Sequence, residues 1–564
     1  MYHCNWAAVA QLSLGLAPAW GRLAPSRVGA PTLAFWAAAS TMRAMAKPKP
    51  HNAPRSGKHP PDAGILARET GTLLRRAPVE VALVYPNTYR VAGSSLGFQV
   101  IYRALNQRDD VACHRAVLPE LAQIGQRPPP VLTLEANKPL ADYDAILVSI
   151  AYELDIGNLA MLLEASGLAA LASERPADAP PVIVGGPLTT SNVLPLGVLA
   201  DVVVMGEADH AIAQVLQWLA ERPSRSALQQ LARDVPGMWV PALHGDAVPE
   251  LLAVGGDALP ALGQWRSPDA EFGDMMLLEA SRGCPRYCKF CVVRAPVAPM
   301  REPELDRVVA ALDRPEFADA PRVGFVGAAV SDWRPIKLAL KAAIDRGKTF
   351  GISSLRADRL DEDDEFVDLL FQGGYRTMTV ASDAPSQRLR GKLAKGLRER
   401  HLWGAALQAR RVGMRGYKMY VITGLPDEHD ADITELIDFS QRLSTVVRTA
   451  ITLSPFVPKL HTPLADAPFE PEVTQMAKLR RIQAALGQRV DVRFDSPRWA
   501  WVEYRLSQGG MATGHAAIAA ARNGGAFAAW KAAFAALDGH DGGEQRRAAS
   551  AARSHNLWPV FGGR

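Results

Sequence analysis

Short apolar runs alternate with longer amphipathic stretches along most of the chain. Between residues 76 and 225, four runs have the length and β-branched content of buried strands, with helical spacing of apolar residues between or after them. The predicted strands are 79–84, 145–150, 181–184 and 201–205. The predicted helices are 94–105, 157–173 and 208–221. Because nearly continuous apolar strands separated by helices are typical of a sheet covered on both faces, we expect a parallel α/β domain here.

Turn-forming residues follow three of these strands. They are Pro86, Gly185-Gly-Pro187 and Gly206-Glu207. Ligands of open parallel sheets bind at the carboxyl ends of the strands, so residues 76–225 predict a Rossmann-like domain with a crevice at that edge. No G-x-G-x-x-G follows the first strand, which argues against a dinucleotide site. The glycines are also compatible with simple tight turns.

A second alternating region covers residues 275–470. The predicted strands are 275–280, 322–327, 349–354, 376–381, 417–423 and 450–455. The predicted helices include 334–346, 362–373, 397–413 and 430–445. Six strand–helix units are too few for a full eight-stranded barrel.

The segment between the two regions, residues 226–274, is interpreted as a linker. Its apolar stretches 238–242 and 251–254 flank His244-Gly-Asp246 and predict a small hairpin. Residues 471–540 are mostly helical in pattern, with a short strand at 490–494, and predict a C-terminal helical cap.

Both ends of the chain differ from the rest. Residues 1–61 contain seven Lys and Arg and no Asp or Glu, and 46–62 are rich in Pro. We interpret 1–75 as a disordered or mis-assigned leader, with a weak targeting segment as the other reading. Residues 541–564, rich in Gly, Arg, Ala and Ser, predict a frayed tail.

Composition limits the possible classes of function. The 564 residues are 48% hydrophobic and 21% charged with a formal net charge of +5, so two or three soluble domains are expected. No dense Lys/Arg block with interleaved aromatics supports nucleic-acid binding, and the apolar stretches near the N-terminus are too interrupted for a membrane span. Five cysteines do not make a disulfide framework, and we expect a cytoplasmic protein.

Three of those cysteines, Cys284, Cys288 and Cys291, lie at C-x₃-C-x₂-C directly after the first strand of the second region. Thiolates select zinc, copper(I) or iron–sulfur clusters. Zinc would need a fourth ligand, and neither Cys4 nor Cys113 is a natural one. A [4Fe–4S] cluster held by three thiolates leaves one iron open. An incomplete zinc knuckle and unrelated buried thiols are the alternatives.

This spacing, with Phe290 directly before the last cysteine, resembles the signature of the radical S-adenosylmethionine (SAM) superfamily. The resemblance implies a [4Fe–4S] cluster held by Cys284, Cys288 and Cys291, with SAM chelated to the open iron and cleaved by the reduced cluster to a 5′-deoxyadenosyl radical. It also places Phe290 among the cofactor-binding residues. The implied fold is α/β, with an N-terminal Rossmann-like parallel-sheet domain, a partial (βα)₆ barrel at 275–470 and a helical C-terminal region.

The resemblance also assigns SAM contacts at the ends of the second and third strands. The backbone near Gly327 and Ala328 is expected to meet the methionyl amino group, although the G-G-E-type turn common in the family is absent. Ser354 and Arg356 are expected to face the SAM carboxylate, which suits a guanidinium fork. Each of these residues could instead form a turn or cap a helix.

Further assignments follow at the later strands. Asp383 is expected to bind the ribose hydroxyls, although Pro385 stands where relatives have Gly. Gly424, in a G-L-P turn, is expected beside the adenine. Lys459 and His461 lie in a proline-rich segment similar to S-P-F-x-P-K-x-x-T-P of fused cobalamin-type relatives, and would contact substrate, the upstream domain or solvent.

The N-terminal region is similar to the cobalamin (B12)-binding-type domain fused ahead of many radical SAM domains. The similarity rests on Tyr85-Pro-Asn-Thr-Tyr-Arg90 and the glycine turns after the later strands. The D-x-H-x-x-G of histidine-ligated cobalamin is missing there, and its literal match at 538–543 follows no strand and is interpreted as chance. Cobalamin would therefore bind without a histidine ligand.

The resemblance implies an electron donor such as flavodoxin or ferredoxin and an unknown substrate. With cobalamin the expected outcome is methyl transfer to an unactivated carbon; without it, rearrangement, sulfur insertion or oxidation. A redox-sensing or electron-transfer protein without SAM chemistry is the rival hypothesis, and a zinc-dependent binding protein is a second.

Overall fold

A computed structural model describes residues 64–120, 128–293 and 299–540. The predicted tail, 541–564, and most of the predicted leader lie outside the described residues. The leader's last part, 64–75, is described and carries a short helix, α1.

Strands and helices alternate over most of the described chain. The strands are β1 Val79–Thr88, β2 Val111–Leu118, β3 Ala145–Ser149, β4 Val182–Gly185, β5 Val202–Val204, β6 Met238–Trp239, β7 Met276–Glu279, β8 Arg322–Val326, β9 Thr349–Ile352, β10 Thr377–Ala381, β11 Gly416–Thr423, β12 Thr449–Pro455 and β13 Asp491–Phe494. The helices are α1 Ile65–Arg68, α2 Tyr89–Ala92, α3 Leu96–Asn106, α4 Asp155–Ala165, α5 Ile212–Glu221, α6 Arg225–Ala232, α7 Pro241–His244, α8 Leu305–Leu312, α9 Pro315–Ala318, α10 Ile336–Asp345, α11 Ala357–Glu362, α12 Asp364–Gln372, α13 Gln387–Lys392, α14 Glu399–Arg411, α15 Asp430–Val446, α16 Glu472–Leu486, α17 Pro497–Gln508, α18 Met511–Arg522 and α19 Phe527–His540.

The N-terminal sheet has the order β2-β1-β3-β4-β5-β6. Its first five strands run parallel, and β6 pairs antiparallel with β5. The order reverses at β1, which is a topological switch point in a doubly wound sheet. The sheet extends past the predicted boundary at 225, because β6 belongs to it.

Strand β2 is missing from the predicted elements. It is buried along its whole length although it contains His114 and Arg115. Arg115 donates to Glu69 and Glu135, so its charge is neutralised by partners distant in the sequence. Buried charges are tolerated when they are paired in this way.

The predicted hairpin at 238–254 is wrong. Met238 and Trp239 pair with β5, and Leu252 forms a parallel bridge with Gly206, which follows β5. Both segments therefore attach to the N-terminal sheet rather than to each other. The short helix α7 lies between them.

The six strands predicted for the second region all form, within a few residues of their expected limits. They lie in two parallel sheets, β7-β8-β9 and β10-β11-β12-β13. One apolar core contains side chains from both sheets, among them Leu278, Phe325, Met378 and Ile451. The sheets are therefore packed as parts of one unit.

Local signals explain the helices that cover this core. In α12, the Asp363 side chain accepts from the backbone N–H of Phe366 and caps the helix, which satisfies one of its free amide groups. Phe366, Val367 and Leu370 form the buried face of the same helix.

The C-terminal region is divided between the two halves of the molecule. Strand β13 joins β12, and α16 packs beside α15. Helices α17 to α19 instead pack on the N-terminal domain, where Leu506, Ile518, Trp530 and Phe534 enter its core. None of the helices in the described residues is both long and apolar enough for a bilayer crossing.

Candidate functional site

The cysteine loop starts directly after β7 and is closed at its base. Arg282 and Arg301 exchange two backbone hydrogen bonds of 2.9 and 2.8 Å. Both side chains reach Glu207 of the N-terminal domain, with Arg282 Nη1 and Arg301 Nη1 3.0 and 2.9 Å from Oε2. Burial raises the pKa of Glu207, but hydrogen bonds from Arg301 and Arg282 outweigh it, so the pKa lies below its ordinary value.

The three cysteines lie within this loop as half-buried thiols that form no disulfide. Burial raises the pKa of Cys284 and of Cys288 above the ordinary thiol value. Lys395 and Arg356 oppose that rise at both thiols, so the two cations lie close to both. Metal binding must deprotonate a thiol, and nearby cations make that step easier.

Two further arginine–aspartate pairs lie beside the thiols. Arg286, inside the loop, makes a bidentate pair with Asp332 at 3.0 and 2.5 Å. Arg356 makes a second bidentate pair with Asp358 at 3.0 and 2.9 Å. The guanidinium of Arg356, expected to face the SAM carboxylate, is thus already engaged by a protein carboxylate.

Asp383 follows β10 and is fully buried, with its backbone in the left-handed region at φ 60°. Its carboxylate forms an ion pair with Lys395. Oδ1 has no hydrogen-bond partner among the described residues. Burial lowers the pKa of Lys395, but the negative charges of Asp383 and Cys288 raise it above its ordinary value. A buried carboxylate with one free oxygen beside a cation is suited to accept hydroxyl donors.

Gly327 directly follows β8 and lies against Ser281, just before the cysteine loop. A Cβ at Gly327 would lie 2.4 Å from Ser281 Oγ and 2.7 Å from Ser281 O, so only glycine fits here. Its backbone N–H donates to Ser353 Oγ at 3.0 Å. Ser354 accepts from Val330 N–H at 2.8 Å and donates to Gly327 O at 3.3 Å, so it supports this turn.

Phe290 and Gly424 lie on the other side of the loop. Phe290 packs in a small core with Ile422, Leu425 and Phe456, against which Cys288 and Cys291 also pack. Packing against this core holds the backbone of the cysteine loop in place. The N–H of Gly424 donates to Glu428 Oε2 at 3.0 Å, so that amide is already used.

The donor set fits a cubane cluster better than its geometry fits a single ion. No three His, Cys, Asp or Glu side chains in the described part of the chain converge where one metal ion would bind. A [4Fe–4S] cluster takes each thiolate on a different iron, so it does not need thiols that converge on one point. Three thiols on one loop, with cations beside two of them, fit that group.

A cavity of about 500 Å³ separates the cysteine-loop side from the N-terminal sheet. The carboxyl ends of β1, β3, β4 and β5 form one wall, as expected at a switch point. The opposite wall includes Gly283, Val292, Gly327, Ala328 and Lys459. The cavity therefore lies against both flanks of the cysteine loop.

The structure brings most of the predicted site residues together. Cys284, Cys288, Asp383 and Arg356 surround one region, and Gly327 and Ala328 line the adjoining cavity. Lys395 is the main residue that sequence reasoning missed. It lies twelve positions after Asp383, in a segment with no recognisable motif.

Two family models match the chain. Residues 97–241 match "Radical SAM proteins, N-terminal" and residues 278–440 match "Radical SAM superfamily". Together they span more than half of the chain, and the second contains the three cysteines. The chain belongs to the radical SAM superfamily.

A relative by sequence is an uncharacterized protein of Methanocaldococcus jannaschii. It is 29% identical over 412 residues, which cover 72% of this chain and 83% of that protein.

Three solved structures are similar at low identity. The cobalamin-dependent SAM radical enzyme OxsB, with aqua-cobalamin and SAM bound, is 13% identical with a TM-score of 0.44, and the match covers 73% of this chain and 55% of that one. SuiB of Streptococcus suis bound to SAM is 15% identical with a TM-score of 0.29, covering 41% and 48%. Coproporphyrinogen III oxidase HemN of Escherichia coli is 15% identical with a TM-score of 0.29, covering 38% and 52%. The chain spans about half the length of each of these three proteins.

Proposed function

We propose that the protein is a radical SAM enzyme whose cysteine loop holds a [4Fe–4S] cluster and whose strand ends bind SAM. The observation that carries this proposal is the position of three half-buried thiols on one loop, beside the buried Asp383–Lys395 pair, at the carboxyl ends of parallel strands. When bound, the two cofactors supply reductive cleavage of SAM to a 5′-deoxyadenosyl radical that abstracts hydrogen from a substrate.

The chain's own residues would position these groups. Cys284, Cys288 and Cys291 would hold the cluster as thiolates. Asp383 Oδ1, which lacks a partner among the described residues, would accept from the ribose hydroxyls. Lys395 pairs with Asp383 and lies near Cys288, so its ammonium would offset the negative charge of both groups.

We also propose that β7 to β12 form one open partial barrel in chain order. The shared apolar core of the two sheets supports this arrangement. The polar ends of β8, β9 and β10 would then face the same mouth as the cysteine loop. The apolar interior excludes water from the reacting groups.

A flavodoxin or ferredoxin is the proposed electron donor. The loop side opposite the core exposes Pro285, Tyr287 and Lys289, with Tyr287 60% exposed. A small redox protein could approach the cluster over these residues.

The decisive experiment is anaerobic reconstitution of the full chain with iron and sulfide. We expect a reduced-cluster EPR signal that shifts on addition of SAM, and 5′-deoxyadenosine after addition of dithionite. A cluster whose signal SAM leaves unchanged, with no 5′-deoxyadenosine, would identify an electron carrier or sensor instead. Zinc without acid-labile sulfide in the purified protein would identify a zinc-binding protein.

Cobalamin-dependent methyl transfer is a second candidate, favoured by the position of the cavity. The cavity lies at the strand ends of a doubly wound sheet, between that sheet and the cysteine loop. Its described lining contains no histidine, so cobalamin would bind without a histidine ligand.

The test of this second candidate is a hydroxocobalamin titration of the full chain. The full chain is needed because α17 to α19 pack into the core of the N-terminal domain. A saturable spectral change supports cobalamin binding. No change removes cobalamin-dependent methyl transfer and leaves the cavity to the substrate.

A further inference from the structure

The cavity beside the cysteine loop has one distinctive polar end. Most of its lining is apolar, from the ends of β1, β3, β4 and β5 and from helix α3. At one end Asn87, Tyr152, Glu153, Asp155 and Lys459 meet. A pocket of this volume with few polar groups is typical of a site for a small organic ligand.

Asp155, the first residue of α4, is held rigidly at this end with only 3% of its surface exposed. Asn87 Nδ2 and Asn158 Nδ2 both donate to its Oδ1, at 2.9 and 3.1 Å. No donor among the described residues contacts Oδ2. The second oxygen is therefore the one left for a ligand in the cavity.

The cation at this end of the cavity, Lys459, is already paired with other carboxylates. Lys459 Nζ lies 2.5 Å from Glu153 Oε1 and 2.8 Å from Glu503 Oε1, so it is shared by two other carboxylates. Asp155 is thus a buried carboxylate held by neutral amides alone. Burial raises its pKa to about 7, with Glu153 adding to the rise and the two amides opposing it.

Most charged residues along the cavity lining are acidic. Five acidic residues line the cavity against two basic ones, Arg282 and Lys459. Arg282 is already paired with Glu207, Asp209 and Glu279. An anionic ligand would find no unpaired cation here, whereas a cation would supply the partner that Asp155 lacks.

We propose that this cavity binds a small organic amine, with its apolar body along the strand ends and its protonated nitrogen on Asp155 Oδ2. The inference rests on the proposed function only in treating the cavity as the substrate site. Asp155 would then select substrate and set its orientation toward the cysteine loop.

The test compares two probes of similar shape and opposite charge, phenylbutylamine and phenylbutyrate, by calorimetry on the full chain. We expect saturable binding of the amine and no binding of the acid. Asp155→Asn keeps the shape and should weaken amine binding at least tenfold. Asp142→Asn, the same exchange at an exposed position away from the cavity, should change it less than twofold.

Absence of amine binding, equal binding of both probes, or unchanged amine binding in Asp155→Asn would overturn the proposal. If Asp155→Asn does not fold, the wild type decides: amine binding should fall at least tenfold between about pH 8 and about pH 5 as Asp155 gains its proton. The other groups facing Asp155 are Tyr85, Tyr152, Glu153 and Lys459; burial raises the pKa of both tyrosines well above this window. Binding that is independent of pH would overturn the proposal as well.

These measurements need neither cluster nor SAM. A protein that makes 5′-deoxyadenosine but does not bind the amine would fail here and keep its proposed function. A protein that binds the amine but holds no cluster would contradict the proposed function and support amine binding in the cavity.

Discussion

The charged groups around the thiols and Asp155, across the cavity, differ in how they are partnered. Around the thiols, charges occur in matched pairs: Arg286 with Asp332, Arg356 with Asp358, and Lys395 with Asp383. On the side of the N-terminal sheet, Asp155 has two amide partners and, within the described part of the chain, no paired cation. The ion pairs keep the region around the thiols close to neutral before a cofactor binds. A buried carboxylate with only amide partners, such as Asp155, is instead stabilised when a cation binds. The difference agrees with the proposed cofactor site on one side and the proposed ligand-selecting carboxylate on the other.

The largest expected effect tests the cofactor side. Cys288→Ala should abolish the iron–sulfur absorbance at about 400 nm and reduce 5′-deoxyadenosine formation at least about a hundredfold, because one iron loses its thiolate. Cys113→Ala, at a buried cysteine of β2, is the matched control and should keep the cluster. A Cys288→Ala protein that stays brown and cleaves SAM would contradict the assignment.

Protonation of Asp155 should make the free energy of unfolding depend on pH. Because burial raises the pKa of Asp155 to about 7, the folded protein binds this proton more tightly than the unfolded chain does. The contribution to the free energy of unfolding is therefore complete below about pH 4 and is lost as pH rises toward about pH 7, by at most about 4 kcal/mol.

Asp155→Asn should remove this slope. Urea unfolding of wild type and variant between about pH 4 and about pH 8 measures the difference between them. Parallel stability curves for the two proteins would show that Asp155 is ionised throughout and that the contrast with the paired side is smaller than proposed.

The matched side should respond to loss of one partner. Asn tolerates the φ of 60° at position 383, so Asp383→Asn should not strain the backbone. The variant removes the carboxylate that pairs with buried Lys395, so the free energy of unfolding should fall by about 3 kcal/mol. SAM binding should weaken at least tenfold while the cluster is retained.

The control for this variant is Asp313→Asn, at the exposed Asp313–Arg346 pair of 2.7 Å. It should cost less than about 1 kcal/mol. Loss of iron in Asp383→Asn would instead give Asp383 a structural role in the cysteine loop.

The smallest effect concerns the contact between the two sides. Glu207→Gln keeps the shape but removes the charge shared by Arg282 and Arg301, and should lower the free energy of unfolding by about 2 kcal/mol. Iodoacetamide should label the three loop thiols of the metal-free variant faster than those of wild type. Equal labelling rates would show that the backbone bridge alone holds the loop.

The features predicted from sequence are those with local signals. Apolar β-branched runs located the six core strands, and thiol spacing located the cysteine loop. Strand β2 escaped prediction because Arg115 interrupts its apolar run, and its partners Glu69 and Glu135 are known only from the fold. The hairpin prediction failed because Met238 and Leu252 each find a partner near β5.

The site was predicted in part for the same reason. The resemblance assigned Asp383 to SAM at a strand end, and this role stays a prediction; its partner Lys395 could not be predicted because it depends on how the chain returns after α13. The SAM contact of Arg356 also stays a prediction, and its pair with Asp358, two residues away, was not predicted. Asp155 carries no motif, and its isolation is visible only once Lys459 is seen to bind Glu153 and Glu503.

The closed base of the cysteine loop has a thermodynamic consequence. Arg282 and Arg301 bond to each other through their backbones and to Glu207 through their side chains, so we expect ordering of the loop and docking of the upstream domain to be coupled. Iron loading should therefore stabilise the contact between Glu207 and the two arginines. A ligand that stabilises this contact should in turn slow the dissociation of iron. Replacing one domain alone with that of another protein should then be difficult, because Glu207 lies in the first domain and its partners Arg282 and Arg301 lie in the second.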